Sequence, residues 1–393
     1  MSQGALNRAE SAGWNVPATA EEVRRSNEVR FAEFLSFASL AFPLRGVGGF
    51  PLSELMIGLA ILIAAIRTPH YRALPVVTTL GLVLMGTYLI SAGLNDEWDL
   101  RRLIHIAGFF ALVHMLATGR LHLRSAASGL AFGLIVSITI SVAELGGGAF
   151  SDRLRGEFAD PNGGSFYMLA LACVALSILE SRRVRQILIV VVTAGVILTL
   201  SRTGIMSLAF TILWILNARI LGWFTKILFA AGMYYFIGNV PTALKLWGPF
   251  KDRDGSDQLR LRIEAASEHS VATVSYFGHG PGTSTVDVNG IPFFFHSSYL
   301  ALRNEVGIVG LVVGVSILLW IGFSLARLPR SLHNPWLEAA LLAPLLVGVN
   351  VGEILVEMPT AVVLGAAMQH LSRSLNWEID HGRPATPTSH RRE

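Results

Sequence analysis

The chain has 393 residues, 52% of them hydrophobic and only 15% charged, with a formal net charge of +4 and one cysteine. A soluble globule carries about 25% charged residues, so this composition excludes an ordinary soluble domain. The lone Cys173 excludes an intrachain disulfide. The arginines are scattered over loops instead of forming one basic face, which argues against nucleic-acid binding. Mean hydropathy is +0.54 and apolar runs recur along nearly the whole length. That pattern reads as an all-α, polytopic membrane helix bundle. The short alternating segments of a transmembrane barrel are missing.

In chain order, residues 1–28 are polar and read as a cytoplasmic tail without a cleavable signal peptide. Windows of about 17–25 apolar residues predict twelve spans. Nine fall within 29–239, near 29–45, 51–67, 73–93, 102–119, 125–146, 164–180, 184–200, 203–218 and 220–239. Three fall within 298–374, near 298–325, 335–354 and 358–374, and residues 375–393 form a second tail. Basic residues accumulate on the cytoplasmic side of membranes. Every second connection is basic here, including Arg67 and Arg72, Arg120 and Arg124, Arg182 to Arg185, and Arg327 and Arg330. The alternate ones carry Asp96, Glu97, Glu353 and Glu357. Both termini are therefore expected inside, and the long polar segment 240–297 outside, in the periplasm or at the cell exterior.

Within that outer segment, Ser256 can cap a helix from Asp257 to about Glu268, with Leu259, Ile263 and Ala266 on one face and Arg260 and Arg262 off it. Next, GHGPGTSTVDVNG reads as an irregular Gly/Pro-rich stretch. IPFFFHSSY then reads as re-entry into the membrane, with aromatic residues at headgroup level. Seven ionisable residues interrupt apolar runs: Glu33, His105, Glu144, Lys226, Arg303, Glu305 and Glu338. Such residues are expected to face the bundle interior or its interfaces. Glu305 reads as a pairing or packing residue.

Four polar groups fall on the outer side under one topology. They are SDRLRGEFADPNG at 151–163, with Arg153, Arg155 and Asn162; Ser201-Arg202-Thr203-Gly204; Lys251, Arg253, Arg260 and Arg262; and His296-Ser297-Ser298-Tyr299. Each has a plainer reading alone. Arg202 can snorkel to headgroups, Arg260 can pair with Glu264 on a solvated helix face, and Arg153 and Arg155 can be solvated loop charges. A single interfacial histidine is more often structural than chemical, and His279 reads as a loop residue. Gathered on one face, the arginines offer planar forks for phosphate oxygens, and His296 offers a titratable base beside them. GHGPG lacks the Lys-Ser/Thr of a P-loop. No G-x-S-x-G occurs, nor any histidine–carboxylate spacing typical of a metal site.

The order SRTG, an outer loop with arginines, G-x-G-x-G, and then H-S-S-Y-L followed by E-x-G-I-x-G-L resembles the O-antigen ligase and polymerase family of bacterial membrane glycosyltransferases. The earlier F-A-D-P-N-G is similar to that family's G-x-F-x-N-P-N segment, with Asp160 in place of the first asparagine. The resemblance spans most of residues 150–310 and the twelve-helix plan. It implies a membrane bundle with one large periplasmic loop, set in the bacterial inner membrane. It implies transfer of a glycan from a polyprenyl diphosphate carrier to an acceptor sugar, without metal, nucleotide sugar or other cofactor. On this resemblance Arg202 and the Arg260/Arg262 pair hold the diphosphate, and His296 activates the acceptor. Arg153, Arg155, Asn162 and Tyr299 are further candidates for substrate contact. The partners are then the lipid-linked donor, a glycan or lipid-linked acceptor, membrane lipids and, for a polymerase, a chain-length or export protein. The competing class is a twelve-helix secondary transporter or lipid-linked oligosaccharide flippase, marked by internal repeats and mid-membrane ionisable groups; repeats are not apparent here, and the charged cluster falls at the outer surface beside a large loop.

Overall fold

The computed structural model describes residues 29–42, 51–145, 153–154, 160–239 and 254–381. These hold thirteen α-helices and one two-stranded hairpin. The helices are α1 (Phe31–Ser39), α2 (Leu52–Ala65), α3 (Pro75–Asn95), α4 (Leu100–Ala117), α5 (Leu123–Ala143), α6 (Pro161–Ile178), α7 (Arg182–Leu198), α8 (Arg202–Asn217), α9 (Trp223–Asn239), α10 (Asp254–Ala272), α11 (Ser298–Ala326), α12 (Pro335–Val347) and α13 (Met358–His381). Between α10 and α11 run β1 (Thr285–Val288) and β2 (Ile291–Phe294).

Each predicted span contains a helix, and α3, α4, α5, α6 and α11 are long and apolar enough to cross a membrane. Two predicted spans are shorter than expected. In the first, α1 has nine residues, about 14 Å at 1.5 Å per residue against a hydrocarbon core of about 30 Å; residues 43–50 lie outside the described set. In the eleventh, α12 stops at Val347, and the chain from 348 to 357 turns aside to grip the start of α11. The all-α class fits, with one local exception: Ile291–Phe294, expected as re-entry into the membrane, pairs antiparallel with β1 in the register Val288↔Ile291 to Thr285↔Phe294. Asn289-Gly290 at its tip, both at positive φ, is the strongest short hairpin signal there is. The outer helix is longer than expected at both ends, running from Asp254 to Ala272.

Polar caps and prolines set the helix starts. Asp160 accepts from the Gly163 amide ahead of α6, Ser201 from Gly204 ahead of α8, and Asn334 from Leu337 ahead of α12. Pro161 and Pro335 occupy first turns, where a missing N–H costs nothing. The most enclosed helix is α6, which is buried nearly all round and packs against α5, α7, α8, α12 and α13. Elsewhere α1 lies on the small-residue face of α5, and α11 lies along α3.

Hydrogen bonds gather the connections into two ends. At one end Tyr71 N donates to Thr118 O, Ser372 Oγ to Arg72 O and Asn334 Nδ2 to Ser177 O. At the other Asn95 Nδ2 donates to Gly278 O, Leu154 N to Leu198 O and Ser298 Oγ to Val351 O. The first is the basic end and the second carries His296. Of the ionisable residues in apolar runs, Glu33, His105, Lys226, Glu305 and Glu338 are buried. Arg303 is half-buried, and Glu144 is exposed at the end of α5.

Candidate functional site

Two elements bring charge to His296, α10 through Arg260 and the start of α6 through Asp160. The inward stripe of α10 is Ile263, Ser267 and Val271, one helical turn apart and all buried. Val271 packs against Phe295 and Ala301, which seats α10 beside the histidine. Arg260, three residues before Ile263, is half-buried on this side, whereas Arg262 is exposed. Phe295 is held from below by its amide on Ser284 O at 3.1 Å, and Ser284 Oγ donates to Ala301 O at 2.9 Å. His296 is half-buried. Burial, and after it the positive field of Arg260, hold its pKa below the usual 6.5, and Asp160 pulls the other way.

Asp160 leads to a second set of groups. As the cap of α6 it accepts from Asn162 Nδ2 at 3.0 Å. Asn162 Oδ1 accepts from Arg153 Nη2 at 3.4 Å, and Arg153 Nε donates to Thr199 O at 2.9 Å. Thr199 ends α7. Leu200 follows in the left-handed region at φ 47°, a conformation that costs an ordinary side chain about 1–3 kcal/mol. Ser201 then caps α8, with Arg202 as the first helical residue. Gly204 faces Ser165 so closely that a Cβ would run into its hydroxyl, so the first turns of α6 and α8 meet. The SRTG turn, Arg153 and residues 160–163 are thus one surface. Arg155, Lys251 and Arg253 lie outside the described residues.

Tyr299 has a different place from the one expected. Its hydroxyl donates to Leu345 O at 2.8 Å, and its ring meets Tyr234 edge-on at 5.9 Å. It fastens α11 to α12 and α9. Ser298 does similar work, its amide bonded to Gly348 O, its hydroxyl donating to Val351 O at 2.6 Å and accepting from Ile354 N at 2.8 Å. The 348–354 loop therefore grips α11 two residues from His296.

Sequence reasoning missed what holds this loop. Glu305 is fully buried, and its Oε2 accepts from Arg102 Nε at 3.2 Å, Arg102 Nη2 at 3.1 Å and Tyr88 OH at 3.0 Å. Its Oε1 accepts from Gly282 N at 3.1 Å. Arg102 reaches on to Glu353 at 3.5 Å, a residue held at φ 63° within the loop. The only signal was a carboxylate inside an apolar run; its partner, 203 residues away, left none. Next to this network, His105 bridges Glu54 at 3.1 Å and Val356 O at 3.0 Å, and Tyr167 OH donates to Glu357 at 2.9 Å.

The GHGPG stretch belongs to the same framework. At Gly307, φ 67° and ψ −170° break α11, and a Cβ there would strike the Tyr276 carbonyl. The carbonyls released by the break accept from loop amides: His279 N to Asn304 O at 2.7 Å and Gly280 N to Glu305 O at 3.2 Å. These amides are committed to helix carbonyls and do not form a phosphate cradle.

A cavity of about 360 Å³ lies away from all this, in the apolar middle of the bundle between α3, α4, α11 and α13. The titratable and cationic groups gather at the His296 surface and not in that cavity. Among the described residues no three His, Cys, Asp or Glu side chains sit together to hold a metal. No protein-family model matches the chain, and no curated protein matches it.

Proposed function

We propose that the protein is a membrane glycosyltransferase that moves a glycan from a polyprenyl diphosphate to an acceptor hydroxyl, as in O-antigen ligation or polysaccharide polymerisation. The observation that carries this reading is His296 lying within the fields of Arg260 and Asp160, at the end of the bundle where Arg153 and Arg202 also sit. On this reading the twelve hydrophobic helical segments cross a bacterial cytoplasmic membrane, with both termini inside and the His296 end outside.

The chemistry follows from the groups. Breaking the anomeric bond builds negative charge on the leaving diphosphate. Guanidinium groups at a low-dielectric surface stabilise that charge. Of the candidate pair, Arg260 is the one whose field reaches His296, and we assign the diphosphate to it together with Arg202 and Arg153. A histidine kept neutral by burial and by a neighbouring cation accepts the acceptor's proton as the new bond forms. Direct displacement inverts the anomeric centre. Asp160, which caps α6 and pulls the imidazole pKa upward, tunes the base. The acceptor glycan and any polysaccharide assembly partner belong to the same proposal.

The test uses purified protein, a polyprenyl-diphosphate oligosaccharide and EDTA. Release of polyprenyl diphosphate coupled to a new glycosidic product, absent with His296→Ala, supports the enzyme. Transbilayer movement of the lipid without any transfer would replace it with a flippase.

A further inference from the structure

At the basic end, opposite His296, two arginines share one carboxylate and a third arginine lies beside them. Buried Glu33 on α1 accepts through Oε1 from Nη1 of both Arg67 and Arg30, the latter at 3.3 Å, and through Oε2 from His122 N at 2.6 Å. The same two Nη1 atoms also point at Arg120 O, at 3.1 Å from Arg67 and 3.5 Å from Arg30. Two guanidinium groups thus share one carboxylate oxygen and one carbonyl. Like charges held this close repel, and a single carboxylate neutralises only one of them. Arg120 adds a third positive charge, with Nη1 donating to Ala65 O at 3.2 Å. Its Nε is buried with no hydrogen-bond partner, which is costly for a charged group. Among the described residues Glu33 is the carboxylate paired with Arg30 and Arg67, so three arginines and one carboxylate leave an excess of two positive charges among those described residues.

Two observations say what balances it. Arg30 and Arg67 are 39% and 29% exposed, so an anion can reach them. Their sequence neighbours are bare apolar side chains, Phe31 at 71% and Ile66 at 88% exposed, with Leu62 a turn earlier at 69%. A soluble anion has no use for that apolar border, whereas a lipid's acyl chains would cover it. Guanidinium forks match phosphate oxygens bidentately. We infer that Arg30, Arg67 and Arg120 form a headgroup site for an anionic phospholipid, its phosphodiester completing the charge of the cluster and its chains lying over α1 and α2.

Full-length protein, delipidated in mild detergent, is titrated with phosphatidylglycerol, phosphatidylcholine and glycerol phosphate. Thermal midpoint and bound lipid by native mass spectrometry are read together. Phosphatidylglycerol should bind saturably and raise the midpoint by several degrees, the other two having little effect. Arg67→Gln and Arg30→Gln should each weaken it by about tenfold, and Arg67→Lys should recover part. Since Arg67 also holds Glu33, Glu33→Gln is the control for folding: it removes the competing carboxylate, and the lipid should bind at least as tightly. Equal binding of both lipids, undiminished binding to Arg30→Gln, or loss of binding in Glu33→Gln would overturn the site. Glycerol phosphate acting as well as the whole lipid would overturn the lipid as its occupant.

Discussion

The two ends of the molecule both bury charge, and they use it differently. Away from His296, Lys226 donates to Glu338 at 2.7 Å and meets His333 at 3.0 Å, while Trp214 donates to the same carboxylate at 3.2 Å. These residues join the regular helices α8, α9 and α12 and the turn before α12. Near His296, the Arg102–Glu305 pair instead holds irregular chain: the Gly282 amide, the left-handed Glu353 and the broken turn of α11. Buried ion pairs add little net stability, yet breaking one is expensive. One such pair staples helices together. The other fixes loops that no ladder of backbone hydrogen bonds could fix, around the residue to which we assign the chemistry.

That contrast can be broken experimentally. The largest effect belongs to His296→Ala, which should lower transfer by about 10²–10⁴-fold while the thermal midpoint stays near wild type. Retention of most activity would remove the histidine from the chemistry. Next come Arg102→Met and Lys226→Met, each expected to cost about 3–5 kcal/mol by leaving a buried carboxylate uncompensated. Only Arg102→Met should also lower kcat per folded molecule, with Arg102→Lys restoring part of it. Equal specific activities in the two variants would erase the distinction between the ends.

A finer test uses pH. His296 must be unprotonated to act as base, so transfer falls as pH drops through its pKa, which lies below 6.5. Arg260 lowers that pKa, so Arg260→Gln should move the acid limb of the pH profile to higher pH. Asp160 raises it, so Asp160→Asn, which still caps α6, should move the limb to lower pH. Shifts of the same sign in both variants would contradict the geometry. The smallest effect is that of Tyr299→Phe, which loses one hydrogen bond to Leu345 O, about 1 kcal/mol. Its transfer should be nearly intact; a large loss would return Tyr299 to the substrate site.

Hydropathy alone located the described helices on either side of the 240–297 segment, because exposed and buried residues in them are both largely apolar. It overestimated the eleventh span, since the loop at 348–357 is apolar for packing under Phe295 and Ser298 and not for contact with lipid. The candidate arginines separated only in three dimensions. Arg260 and Arg262 are two residues apart, and helical geometry turns one toward His296 and the other to solvent. Asn289-Gly290 carries a hairpin signal, but it sits at the end of a Gly/Pro-rich run, GHGPGTSTVDVNG, which reads as irregular throughout. Arg102 could not be matched to Glu305 by any spacing rule, because pairs far apart in sequence leave no period to read.

The break at Gly307 has a consequence for how the protein is made. Carbonyls in hydrocarbon need partners, and unsatisfied ones cost several kcal/mol each. Those of Asn304 and Glu305 find theirs on His279 and Gly280, and Val309 N returns a bond to Tyr276 O at 3.4 Å. On the membrane reading proposed above, this helix, the most apolar of the five of membrane length, is therefore not an autonomous unit of insertion: its broken turn is satisfied only once the preceding loop has docked. Loop and broken turn complete one another at this point, so the amides of Gly280 and Val309 should exchange with solvent together, in one opening event.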